Sequence, residues 1–427
     1  MEIHYWRLIM KKLILASALM VASAGAFASN GACVAVGSVA DSSYSWNGTT
    51  YTLCELPTSI TTNKTLFNGN DIPSGQPVLW ALPGIVTVGN GYIQGTTYTS
   101  ANHSVQTIEA GVNVIATASN AALVITRGAK INAVGTATDP IVFSSEDENF
   151  TGEAEWGGLI VSGYGVANEC IYGDTCVMEG ISTNYYFGSG SANKGAGENG
   201  SGTLAYVVIT EGGTQINITD PDDVANSGDE INGLTLYAVT NATSINNIHV
   251  NENLDDGIEI FGGDVNVYDL FLTCNGDDSV DWDYGFHGSI NRILIEQGEK
   301  NGAEDYAFEL AGNPNNYSAT PKATASVENA YVQFVGTTKA STMTDAIFRI
   351  KEGSAGTFNN IVIDGYAIDT TGTTVQDCDE ISNAGSGLHF GAINYDCSVV
   401  DATQFNPSGS PSFSKPTTFW ASAPACE

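Results

Sequence analysis

The sequence predicts an all-β chain: a right-handed parallel β-helix (solenoid) with loop insertions and a disulfide-stapled C-terminal cap. Three observations predict it. Short alternating apolar runs recur, each closed by Gly, Asn or Asp, among them "ALVITRGAKINAVG", "EWGGLIVSG", "GIEIFGG", "SVDWDYG" and "AFELAG". Alternation bounded by turn residues marks a strand. The runs recur roughly every 20–28 residues, which is a solenoid period. Aligned on their inward-pointing pairs, Leu234/Leu236, Ile258/Ile260, Val280/Trp282, Phe308/Leu310 and Phe348/Ile350 fall into register. A second set of runs, "INNIHV", "VYDLFL", "INRILI", "VENAYVQF" and "FNNIVI", keeps the same register, so each coil carries two or three strands. A β-sandwich would favour tight two-residue hairpin turns, and few are visible.

Residues 1–28 read as an export signal. Lys11 and Lys12 precede a short apolar run, and Ala26-Phe27-Ala28 fits the small-x-small cleavage rule. The pattern begins at Met10, which is an alternative start. Residues 29–54 form an N-terminal cap, residues 55–370 the parallel β-helix, and residues 371–427 a cap or tail. Insertions interrupt the coils at 144–155 and 219–230, which are acidic, and at 186–202, which is glycine-rich. The tail holds Cys378, Cys397 and Cys426 and the stretch "NPSGSPSFSKP". An even cysteine count, 8, in an exported chain suggests disulfides. Short separations favour Cys33–Cys54, Cys170–Cys176 and Cys378–Cys397. Cys274 and Cys426 are left to pair with each other or to stay free.

The formal charge is −33, with 47 acidic against 14 basic residues. Such a surface repels nucleic acid and anionic membranes and attracts divalent cations. No segment after the export signal is apolar enough to be inserted in a membrane.

The register stacks acidic residues. One column reads Ile231, Asp255, Asp277, Asp305 and Asp345; the next begins Asn232, Asp256, Asp278. The outward position between the inward pair reads Thr235, Glu259, Asp281, Glu309 and Arg349. Neighbours in a column lie about 5 Å apart. Carboxylates that close must share protons or a cation. Oxygen ligands in loose geometry suit Ca²⁺, with Asp255, Asp256, Asp277, Asp278, Glu259, Asp281, Asp305 and Glu309 as candidate ligands. The competing reading is that Asp at a coil corner caps local backbone amides.

Two resemblances follow. Asn253-Leu254-Asp255, Asp277-Asp278, Phe286-His287-Gly288 and Arg349-Ile350-Lys351 resemble, in order, the motifs of the pectin-hydrolysing polygalacturonase family. That resemblance implies inverting hydrolysis by Asp255, Asp277 and Asp278, with the Arg and Lys holding a uronate carboxylate. Phe286 stands where the family has Gly, and His287 follows Asp278 by only nine residues, less than a coil. Over about residues 125–365, the block "NGLTL…DDGIEIFGG…GDDSVDWDYG" is similar to secreted bacterial right-handed β-helix proteins of the cell surface. Composition also resembles biofilm surface-layer proteins of marine bacteria.

The expectation is an exported structural protein of the cell surface or biofilm matrix. It would self-assemble into a layer with divalent-cation help, with itself and surface polysaccharide as partners and no nucleic acid. The alternatives are the hydrolase, or a glycan-binding adhesin presenting Tyr284, Trp282 or Tyr185-Tyr186. Alternation points Trp282 inward, towards the core.

Overall fold

The computed structural model describes residues 33, 39–69, 77–95, 103–147, 150–170, 176–181, 185–188, 200–216, 230–298, 306–335, 348–364, 389–390, 393–394 and 414–426. The export signal, Asp305, Asp345, Cys378 and Cys397 lie outside the described residues. Among the described residues no helix is long and apolar enough to cross a membrane.

The chain winds into a parallel β-helix. One face is a sheet of nine short strands, running from Ser59–Ile60 through Leu234–Tyr237, Ile258–Phe261, Val280–Asp283 and Phe308–Leu310 to Phe348–Ile350. Its register is the one that alternation imposes: Thr235 lies beside Glu259, Glu259 beside Asp281, Asp281 beside Glu309, and Glu309 beside Arg349. The remaining circumference belongs to longer strands, Gly202–Thr210, Ser244–Asn251, Asn266–Thr273, Ser289–Gln297, Ser326–Phe334 and Thr357–Asp364, which also pair in parallel.

Each long strand serves two faces of the coil. It bends at one left-handed residue: Tyr206, Asn247, Asp269, Arg292, Asn329 or Asn360, all with φ between 52° and 62°. Asn and Asp tolerate that conformation better than other non-glycine residues. In an earlier coil the same two faces are separate strands, Lys130–Val134 and Ile141–Ser145, and both pair with Gly202–Thr210.

The inward side chains fill the coil. Ile258, Ile260, Val280, Trp282 and Phe308 are fully buried. Trp282 stacks on Phe358 with centroids 6.2 Å apart, and its indole N–H donates to Ser354 Oγ at 3.1 Å. It is a core residue and presents no ring to a sugar. Val39–Trp46 folds back antiparallel on Thr49–Glu55, whose other edge pairs in parallel with Val78–Leu82. That hairpin covers an otherwise open sheet edge, and Cys33–Cys54 ties it down. At the other end, His389–Phe390 and Ile393–Asn394 pair with Thr357–Asp364. The stack therefore runs on into the segment that the sequence assigns to the cap.

Residues 414–426 lie as a strap across the long-strand sheet. Phe419 packs edge-on against Tyr206, and Trp420 against Phe150 and His249. Cys426 is bonded to Cys274 across 152 residues, the pairing that the sequence left open. Cys170–Cys176 is also formed, and three such bonds point to an oxidising environment.

Candidate functional site

The outer face of the short-strand sheet carries the site. Alternation sends Glu259, Asp281 and Glu309 outward in one column, and Tyr237, Phe261 and Asp283 outward in the next. A loop folds over one end of this face. Its Met178, Ile181 and Phe187 bury against Tyr237 and Phe261, and the Phe187 and Tyr237 rings lie 4.6 Å apart. The Tyr237 hydroxyl accepts the Glu179 amide at 3.0 Å, which hangs Glu179 over the column. The opposite wall consists of the turns that carry Asp255-Asp256 and Asp277-Asp278. Between the walls is a cleft of about 340 Å³, also lined by Asp283, Tyr284, Arg349, Lys351 and Glu352.

The paired aspartates divide their work. Asp256 Oδ1 accepts the Asp278 amide at 3.0 Å, and Asp278 Oδ1 accepts the Tyr306 amide at 2.5 Å. Each therefore caps the backbone of the next coil, as corner aspartates do. Their carboxylates also join three overlapping groups: Asp255–Asp256–Asp277, Asp256–Glu259–Asp281 and Asp278–Asp281–Glu309. In each group one oxygen per residue lies within 4.8 Å of the others. Asp256 and Asp278 thus cap corners and also belong to groups that could hold a metal ion, so the two readings posed as rivals by the sequence meet on these side chains.

Electrostatics are severe here. Burial, then the facing Asp277, Glu230 and Glu179, push Asp255 up to about 8. Burial and neighbouring carboxylates hold Asp256, Glu259 and Asp281 well above the carboxylate range. Burial lifts Asp283 to about 7 despite the pull of Lys351. The causes are desolvation and like charge, both of which disfavour the ionised form.

Asn232 donates one hydrogen bond to Glu259. Asp281 Oδ1 and Asn232 Oδ1 are buried without a hydrogen-bond partner. Such oxygens are costly unless a donor or cation meets them. Carbonyl and carboxylate oxygens in this number fit a hard divalent cation.

Of the sequence-predicted residues, the structure brings Asp255, Asp256, Glu259, Asp277, Asp278, Asp281 and Glu309 into one cleft, together with Arg349 and Lys351. Asn253 instead holds a turn, donating to the carbonyls of Ile231 and Asp256. His287 is exposed, bonded to the Gly285 carbonyl at 2.9 Å, and does not line the cleft. Phe286 packs on Trp282 in the core. Tyr284 lines the cleft, whereas Tyr185 stacks on Tyr92 with centroids 4.7 Å apart. Sequence reasoning missed Glu179 and Asp283. Asp283 was findable, because it lies two positions after Asp281 on the same side of the strand. Glu179 gave no signal, because an inserted loop delivers it.

A family model described as a pectate-lyase-like β-helix domain matches residues 86–411. No curated protein and no solved structure matches the chain.

Proposed function

This chain belongs to the pectate-lyase-like β-helix domain family, and from that premise we propose that it is an exported structural protein of the cell surface or biofilm matrix which gathers Ca²⁺ in its acidic cleft. The observation that carries this reading is the set of overlapping carboxylate groups around Asp256 and Asp281. Asp256, Glu259 and Asp281 present oxygens from neighbouring coils, and the solenoid register holds those oxygens in place. Bound Ca²⁺ supplies the positive charge that relieves their mutual repulsion. With the charge offset, the flank no longer repels surface polysaccharide or a second copy of the chain, and layer assembly becomes dependent on divalent ions.

Calorimetric titration with CaCl₂ tests the reading. Wild type should bind Ca²⁺ and gain thermal stability. Asp281→Asn, which removes a ligand from two groups at once, should bind at least about tenfold more weakly. Electron microscopy should reveal sheets or filaments with millimolar Ca²⁺ that chelator disperses. A chain that stays monomeric under every ionic condition removes the layer role.

Cleavage of an acidic polysaccharide is a second reading, favoured by one observation. Burial and the facing Asp277, Glu230 and Glu179 favour the protonated form of Asp255. In a glycoside hydrolase such a carboxylic acid protonates the leaving oxygen while a second carboxylate activates water or acts as the nucleophile. Release of reducing ends from polygalacturonate by wild type, lost in Asp255→Asn, supports it. No release from any acidic polysaccharide eliminates it.

A further inference from the structure

The Asp256–Glu259–Asp281 and Asp278–Asp281–Glu309 groups share Asp281 but differ in their other neighbours. Among the described residues, no ion pair engages Asp256, Glu259 or Asp281. Both oxygens of Glu309 are taken by cations of the chain itself. Arg349 Nη1 meets Oε2 at 2.9 Å, and Lys351 Nζ meets Oε1. Lys351 and Arg349 line the same cleft as Asp278 and Asp281. The Lys351 charge therefore lies among the carboxylates of the second group. The Lys351 side chain is 34% exposed, so its stem has a route back to solvent. Asp281, by contrast, is 8% exposed, and its Oδ1 has no hydrogen-bond partner.

We propose that Lys351 is a built-in cation at the Asp278–Asp281–Glu309 position, which keeps a divalent ion out of that position and directs it to Asp256–Glu259–Asp281. This inference rests on the cation-binding reading of the cleft. The physical reason is exclusion. A compact ammonium on a flexible stem neutralises Glu309 and occupies the space that a divalent ion would need. An arriving ion must expel it against its ion pair with Glu309. Arg349 cannot substitute, because its planar fork is committed to one oxygen of Glu309 and its guanidinium lies over the Tyr306 ring, 5.3 Å from the centroid. Lys351 thereby sets how many ions the cleft holds.

The test compares full-length wild type, Lys351→Met and Lys351→Arg by equilibrium dialysis and calorimetry with CaCl₂. The expected result is about one more ion per chain in Lys351→Met, with a larger Ca²⁺-induced rise in melting temperature, and the wild-type number in Lys351→Arg. Removing the ammonium could unfold the apo chain. The double variant Lys351→Met/Glu309→Gln keeps the local charge balanced and should return to the wild-type ion count. Equal numbers and equal affinities in wild type and Lys351→Met overturn the role of Lys351 while leaving the cleft a cation site. No binding by any of the chains overturns both.

Discussion

The two flanks of this β-helix solve the same stacking problem in opposite ways. On the long-strand flank the last two corner residues, Asn329 and Asn360, are amides, stacked beyond an Asp269–Arg292 ion pair in the same column. Asn329 donates to Asn291 Oδ1 at 3.0 Å, and Asn360 donates to Asn329 Oδ1 at 2.6 Å. An amide both donates and accepts, so a column of them satisfies itself and carries no charge. Further along the same flank, His249 lies fully buried between the hydroxyls of Thr273 and Thr418, both at 2.9 Å. Burial pushes it down to about 3, so it is neutral. On the short-strand flank the stacked residues are carboxyl groups, which only accept when ionised and which burial and like charge push towards the protonated form. The same register that closes the amide ladder leaves the acidic ladder short of donors, with Asp281 Oδ1 the visible deficit. The coil spacing is indifferent to chemistry. Whether the stacked side chain can donate decides whether a column satisfies itself or leaves oxygens without a partner.

Breaking the strap should have the largest effect on the neutral flank. Cys426→Ser opens a loop of 152 residues and frees Phe419 and Trp420 from the sheet. A loss of about 4 kcal/mol is expected, read as a lower denaturation midpoint, with new protease cleavage in the strap as a second readout. An unchanged midpoint would mean that aromatic packing alone holds the strap.

An intermediate case sharpens the comparison. Glu211 is a buried carboxylate at the end of Gly202–Thr210, outside both ladders, with Glu155 and Asp147 near enough to raise it further. Its Oε2 accepts Ser144 Oγ at 2.8 Å and the Ser145 amide at 3.1 Å. Burial, opposed by those bonds, lifts it from 4.5 to about 7. The folded chain therefore holds this proton more tightly than the unfolded chain. The contribution is fully present below about pH 4.5 and is lost as pH rises through about 7. The difference amounts to about 3 kcal/mol. Glu211→Gln should flatten this slope and melt higher than wild type at pH 8 without altering Ca²⁺ binding. A variant that keeps the slope shows that the titration belongs to the acidic cleft instead.

How much of this was legible in the sequence depends on whether the period dictated it. The column Thr235, Glu259, Asp281, Glu309 could be read directly, because parallel coils place equal positions side by side. The inward fate of Trp282 followed from alternation. Contacts made outside the period could not be read. Glu179 reaches the cleft on a loop held by Cys170–Cys176, and the strap crosses the coils far from its sequence neighbours. The polygalacturonase-like order of motifs was partly a product of the coil itself. Polar-apolar-polar alternation brings Arg349 and Lys351 to the cleft, whereas His287 does not line it.

The smallest expected effect is the most direct test of the donor argument. Asn329→Asp places a carboxylate in the amide ladder without changing its shape. Aspartate still accepts from Asn360 and tolerates φ 60°. What it cannot do at neutral pH is donate to Asn291 Oδ1, and that oxygen then faces a negative charge. The cost should be about 1 kcal/mol at pH 7. The introduced carboxyl prefers to be protonated in the folded chain, so the loss should shrink as pH falls through the carboxylate range, where the acid form again donates. Thermal melts of the variant and wild type, compared from pH 7 down to about pH 4, should therefore converge. A constant gap would place the defect in the backbone bend and would remove donation as the reason that one flank closes on itself while the other stays open to a cation.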